Sequence, residues 1–391
     1  MDFINLKQFM NRMAPARTPG NAVAVYLHGK SVFSYASGYA DWENKIPLVG
    51  AELFNIYSCS KLATVTAGMQ LLEQGKILLT DPLYEYMPEF RHMSVRQPDG
   101  TLEAARNPIL IGDLFSMTAG FNYDLNAPGF QKTRELTAGH MDTVTAIRCL
   151  AGDPLSFEPG THWQYSLCHD VLAALISVVT GQAFRTYVKE HIFAPLDMHE
   201  SFYHQTPETL HRTAQQYRFV SDSEQCISTV EAQKARGSSQ GYFENIGKDV
   251  EFILGDEYDS GGAGITTSVE DYAKLLSALA GMGVGSNGQR ILSGYSVDLM
   301  RRNRLNATQL RDYDWPQLEG CGYGLGVRTH LDQAVSGLLC GPGEFGWGGA
   351  AGSTAIVDPE AGLAVFYVQH LLNPRAPYYQ PRLRNVVYSC L

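Results

Sequence analysis

Nothing in this sequence is long and apolar enough to read as a membrane span. The longest apolar stretch, Val171 to Val179, falls far short of the ~20 residues a spanning helix needs. Runs of lysine or arginine are missing too, and the balance is acidic: 30 basic against 40 acidic side chains, a net charge of −10. Binding a polyanion needs a local excess of positive charge, so nucleic acid is not an expected partner. Cysteine is sparse: seven thiols, at 59, 149, 168, 226, 321, 340 and 390. The odd number and the lack of any Cys-x-x-Cys pair argue against a disulfide framework or zinc site and for reduced, mostly buried thiols. The start, Met1-Asp2-Phe3-Ile4-Asn5-Leu6-Lys7, lacks a basic segment followed by an apolar core. No signal peptide is expected there, and the expected location is the cytoplasm. Internal repeats and low-complexity tracts are also lacking.

What is there is a chain of 391 residues, 45% of them apolar. That is enough for a large core, as two or three domains or one big one. Phe3, Leu6, Phe9, Met10 and Met13 recur at helical spacing and predict an opening helix. Ala22 to Leu27 and Ser31 to Tyr35 read as strands around a His28-Gly29-Lys30 turn. Leu62, Val65, Met69 and Leu72 predict a helix from Cys59 to Gln74 with Gly75 as its cap. From residue 80 to about 255 turn signals alternate with helical stretches, Asp170 to Val179 and Ala183 to Phe193 among them. The polar stretch 205–250 reads as long loops with short strands. After Gly261, Thr267-x-x-Glu270 predicts a capping box ahead of a helix through Leu279. Strands are expected at Tyr323–Thr329, Ala351–Asp358 and Gly362–His370, and a last helix around Arg382–Leu391. The expected class is α/β (α+β): an antiparallel sheet flanked by helices and built from both chain ends, residues 1–80 and 256–391, with a mostly helical domain inserted at 81–255.

The sharpest chemical feature is Ser58-Cys59-Ser60-Lys61. Three residues apart at a helix start, Ser58 and Lys61 share a face. A serine hydroxyl is a poor nucleophile until a base takes its proton, and a lysine does so only when the helix dipole and burial favour its neutral form. The helix N-terminal amides would also stabilise an oxyanion. Standing alone, such a pair is equally a helix cap beside a solvated lysine.

Segments in chain order add to it. Phe54 to Pro88 resembles the nucleophile region of the serine β-lactamase and penicillin-recognising superfamily, its class C β-lactamase branch above all. Ile111–Gly120, Phe157–Ser166, Ala194–Met198 and Gly261–Ile265 resemble later landmarks of that family in the same order. The family's second motif is Tyr-x-Asn; Tyr165 fits it as a proton relay, while Leu167 stands where the asparagine would bind an acylamino side chain. Its third motif is Lys-Thr-Gly, and Trp347-Gly348-Gly349 stands in its place. A lysine there would attract a substrate carboxylate, which an indole does not. Tyr-Ser-Leu with Trp-Gly-Gly is most similar to the family VIII carboxylesterases. The resemblance implies a class C β-lactamase-like fold and a cofactor-free serine hydrolase acting on small, uncharged carboxylic esters. It implies Ser58 as nucleophile, Lys61 and Tyr165 as its proton acceptors, and the amides of Ser58 and Ala350 as the oxyanion hole. β-Lactamase or D-amino-acid peptidase activity, acyl transfer, or a non-catalytic penicillin-binding-type module are the alternatives. Tyr57, Phe121, Tyr123, Leu167, Tyr258 and Trp347 are candidates to line the substrate pocket.

Other patterns carry less. Gly237-Ser238-Ser239-Gln240-Gly241 matches a nucleophile elbow but lacks the buried strand before it. Gly283-Val284-Gly285-Ser286-Asn287-Gly288 follows a predicted helix rather than a strand, so it reads as a loop and not a dinucleotide site. His199 and His204 are one residue too far apart to share a helical face around zinc. No metal is expected. His169 and Cys59 read as packing residues.

Overall fold

The computed structural model describes residues 1–221 and 241–391. Cys226 and the Gly237–Gln240 part of the elbow-like motif lie outside the described residues. An eight-stranded sheet forms the frame, in the order Cys321–Tyr323, Arg328–His330, Phe345–Gly348, Thr354–Asp358, Leu363–Gln369, Gly20–Leu27, Lys30–Asp41, Ile46–Pro47. Every neighbouring pair is antiparallel. The predicted strand at Tyr323–Thr329 is in fact two short strands folded on each other, with the left-handed Gly326 (φ 73°) between them. A Cβ there would lie 2.1 Å from Val65, so this turn must be glycine.

Strand alternation assigns two faces. Val23, Val25, Leu363, Val365 and Tyr367 pack with the terminal helices Ile4–Met13 and Ala376–Tyr388. Ala22, Ala24, Ala364, Phe366 and Val368 face the helix Val269–Ala280, where Tyr272 meets Phe366 at 4.6 Å between ring centroids. Each face buries apolar surface at about 25 cal/mol per Å2, so the central strands are apolar on both sides.

The helix Lys61–Glu73 is buried nearly all round and packs on the apolar helix Cys168–Thr180. Among the described residues no single helix is long and apolar enough to cross a membrane. Within the polar 205–250 stretch, a helix at Pro207–Arg212 is followed by the paired strands Gln216–Ser221 and Gly241–Gly247. Leu371 and Leu372 add a parallel strand to that pair, which ties this excursion to the C-terminal end of the frame. The six described cysteines are free thiols.

Candidate active site

Ser58 stands where a strand becomes a helix. Leu53–Asn55 ends, a 3-10 turn runs from Tyr57 to Ser60, and the helix begins at Lys61. The change of direction is taken up at Tyr57, whose φ of 48° is left-handed, a strained choice for an aromatic residue. Its phenol is anchored on Gln216 Oε1 at 2.6 Å and its ring against Phe252. Two cross-links hold the turn to the next layer. Ile56 N–H donates to the Ile265 carbonyl (3.1 Å), and Ile265 N–H donates to Ser60 Oγ (3.0 Å).

Lys61 is fully buried beneath the turn. Its Nζ donates to the Gly262 carbonyl (2.8 Å) and to the Tyr123 hydroxyl (3.3 Å), and lies 4.6 Å from the Tyr165 ring centroid. Gly262 is glycine for want of room: a Cβ would fall 2.6 Å from Asp170 Oδ2 and 2.8 Å from the Tyr123 hydroxyl. Asp170 Oδ1 accepts from Ser260 Oγ (2.8 Å) and the Tyr258 hydroxyl (3.2 Å). Burial pushes the Asp170 carboxyl up, and the Lys61 charge and these hydrogen bonds only partly offset it.

Tyr165 is held on an extended segment by Gln164 N–H donating to Met117 O (3.0 Å) and Leu167 N–H donating to Asn122 O (3.1 Å). Its ring stacks on Tyr123 (5.6 Å) and on Trp347 (5.5 Å), and the Trp347 indole N–H donates to its hydroxyl at 3.2 Å. Trp163, itself packed on Tyr313 and Tyr323, backs this aromatic group.

After Trp347 the chain runs directly against the turn. Gly349 has no room for a side chain: a Cβ would sit 2.1 Å from Ser353 Oγ and 2.3 Å from the Ile56 carbonyl. Ser353 Oγ donates to that same carbonyl (2.7 Å). The backbones at Ser58 and Ala350 thus border one opening, and neither amide takes part in the hydrogen bonds among the described residues. Ser58, Tyr123, Tyr165, Trp347, Gly348, Gly349 and Ala350 all line one cavity of about 670 Å3.

Other sequence expectations need correction. Of the pocket candidates, Tyr123 and Trp347 line the cavity. Tyr57 lies under the turn, Phe121 packs on Phe90, Leu167 is core, and Tyr258 packs on Phe130 beside Asp170. Their aromatic or apolar bulk packs the segments around the cavity rather than lining it. Trp315 and Phe252, which are not among those candidates, also line the cavity, as do Arg328 and Arg384 with buried guanidiniums. A tryptophan in the polar run Arg311-Asp312-Tyr313-Asp314-Trp315 was a usable signal for Trp315; nothing local marked the arginines.

His169 is buried, and desolvation with the Lys61 charge takes its pKa down to about 3. Its Nε2 lies 3.3 Å from the Phe115 carbonyl, a packing arrangement. Burial pushes the Cys59 thiol up to about 12, and its Sγ lies against the Trp347 carbonyl. His204 pairs with Asp259 at 2.8 Å.

Residues 7–387 match the Beta-lactamase family. Protein Rv1367c of Mycobacterium tuberculosis is 30% identical over 345 residues, covering 85% of this chain and 81% of that protein. Esterase EstB of Burkholderia gladioli is 29% identical over 373 residues, covering 91% of this chain and 87% of EstB. Among solved structures, EstCE1, a hydrolase with promiscuous acyltransferase activity, superimposes with a TM-score of 0.76 at 25% identity, covering 98% of this chain and 97% of EstCE1.

Proposed function

The chain belongs to the Beta-lactamase family, and from that premise we propose that it is a serine hydrolase cleaving carboxylic esters through an acyl-enzyme on Ser58. One observation carries the proposal: Ser58 and Tyr165 share a cavity, with the buried Lys61 ammonium set over the Tyr165 ring. In this reading the resting Lys61–Tyr165 pair holds one proton fewer than an ammonium and a phenol together, as ammonium and phenolate, and the Tyr165 oxygen takes the Ser58 Oγ proton as Oγ attacks the ester carbonyl. The amides of Ser58 and Ala350 receive the oxyanion. Tyr165 then protonates the leaving alcohol, and water enters by the reverse route to release the acid. The Lys61 charge favours negative charge on the phenol oxygen. The Trp347 indole N–H occupies one of that oxygen's lone pairs and aims its remaining valence. Leu167, where lactamases carry an asparagine, and the likeness to Esterase EstB favour an ester over an amide substrate.

Acyl transfer to an alcohol is the second reading, favoured by the likeness to EstCE1. It uses the same acyl-enzyme and differs only in the acceptor.

Turnover of p-nitrophenyl acetate and butyrate by wild type and Ser58→Ala tests the proposal. Removing the nucleophile should lower kcat by at least ~10^3-fold, and a fluorophosphonate should add to Ser58 alone, as located by peptide mass. Undiminished turnover in Ser58→Ala, or an adduct on Ser239, would sink it. Adding a short alcohol and measuring ester product against free acid decides between water and alcohol as acceptor.

A further inference from the structure

The most deeply buried polar groups on the cavity wall are not the reacting ones. They are Arg328 and Arg384, each about 1% exposed. Arg328 comes from the strand next to that of Trp347, and Arg384 from the C-terminal helix. Both guanidiniums lean on a single carboxylate: Arg328 Nη2 donates to Glu344 Oε1 at 2.6 Å, and Arg384 Nε lies 3.6 Å from the same oxygen. Burial pushes the Glu344 carboxyl up, yet the two guanidiniums outweigh it and hold it below its usual range. The cluster therefore keeps two buried positive charges against one negative.

Hydrogen-bonding capacity is left over as well. Arg328 Nε, Arg384 Nε and Nη1, and Glu344 Oε2 have no hydrogen-bond partner among the described residues. His330, which also faces Glu344, is committed to the Gly341 carbonyl and Ser336 Oγ. The acidic side chains on the cavity wall, Asp124 and Glu251, are exposed and solvated. A buried guanidinium with unmet donors is unfavourable by itself, and an anion or hydrogen-bond acceptor reaching it from the cavity would offset that cost. The same wall carries Trp315, Trp347 and Leu318, apolar and mostly aromatic.

We propose that Arg328 and Arg384 form a carboxylate subsite, so that the substrates of this enzyme are esters carrying a second, terminal carboxylate beyond an apolar linker. The Arg384 guanidinium can donate to such a carboxylate from the cavity wall. The linker would lie across the two indoles. Trp347 leaves its strand without a cation beside the cavity, and the arginines supply positive charge on the same cavity wall. This rests on the assignment of Ser58 as the nucleophile.

The test compares mono-p-nitrophenyl adipate and suberate with the same esters capped by a methyl ester at the free end. Wild type should prefer at least one free acid by tenfold or more in kcat/KM, mostly through KM. In Arg384→Gln the preference should fall to about one, while Arg384→Lys should keep part of it. A wild-type ratio near or below one for both chain lengths would overturn the subsite, and needs no variant to fold. Failure of the nucleophile assignment would look different: p-nitrophenyl butyrate would survive wild type, or be cleaved equally by Ser58→Ala. Calorimetry on Ser58→Ala with free adipate and suberate probes the subsite without any chemistry. Binding that Arg384→Gln abolishes supports it, and no binding at millimolar diacid overturns it.

Discussion

Individual residues around Ser58 are explained by room and by charge. Gly262 and Gly349 are where two backbones, or a backbone and the side chains of Asp170, Tyr123 and Lys61, come too close for a Cβ. Both stand in short glycine-bearing motifs, and that is why the sequence discloses them. Charge also acts on His169, which burial and the Lys61 cation hold neutral, with a pKa of about 3. An unfolded histidine titrates near 6.5. The unfolded chain therefore binds more protons than the fold between these values. The stability His169 contributes is complete above about pH 6.5 and is lost as pH falls toward 3, at up to about 1.4 kcal/mol per pH unit. His169→Gln keeps a donor for the Phe115 carbonyl and cannot titrate. Urea denaturation at pH 7 and 4.5 should show wild type losing about 2 kcal/mol more than the variant over that span. Equal losses would mean that the imidazole is protonated in the fold.

Elements were legible where periodicity was strong and misplaced where one residue overrides it. The helix Val269–Ala280 is capped by Ser268, whose Oγ accepts from Asp271 N–H at 3.2 Å, and not by Thr267 as the capping-box pattern predicts. Thr267 is diverted: its hydroxyl pairs with Ser201 Oγ across the small sheet joining Thr266–Ser268 to Ser201–Phe202. Ser268→Ala should therefore cost about 1 kcal/mol in denaturant midpoint stability. A change under about 0.3 kcal/mol would show that the cap is not contributing. The last helix is a second case. It runs Ala376–Tyr388 with Pro381 inside, six residues earlier than the start predicted at Arg382. Proline disfavours a helix interior, so propensity alone places the start after it. The burial of Tyr379, Leu383 and Val387 against the sheet wins instead. The earlier start puts Gln380 on the helix one turn before Arg384, and both line the cavity. Arg328, Glu344 and Arg384 sit on separate elements far apart in sequence, and no local pattern marks three such residues as one cluster.

At the scale of the whole molecule, the order of motifs was enough to read the family, and the sheet is indeed drawn from both ends of the chain. What the order does not convey is that the chain ends also brace the cavity. The opening helix Ile4–Met13 packs on the C-terminal helix, sharing a cluster in which Leu6, Phe9 and Met10 meet Tyr379, Leu383 and Val387. Asn21 Nδ2 donates to the Met10 carbonyl at 3.1 Å, and the Arg17 guanidinium lies 4.3 Å over the Tyr378 ring. None of residues 1–14 lines the cavity, whereas Ala376, Gln380 and Arg384 do. Deleting residues 1–14 uncovers one face of the C-terminal helix and leaves Ser58, Lys61 and Tyr165 in contact with everything that holds them. Local opening of that helix should then become easier. Hydrogen exchange should rise across residues 376–388 and stay unchanged over residues 61–73. KM for the preferred ester should increase several-fold, while kcat for p-nitrophenyl acetate, too small to reach the far wall, moves less than twofold. If exchange rises equally in both helices, the molecule unfolds as one unit and the bracing is not local to the C-terminal helix.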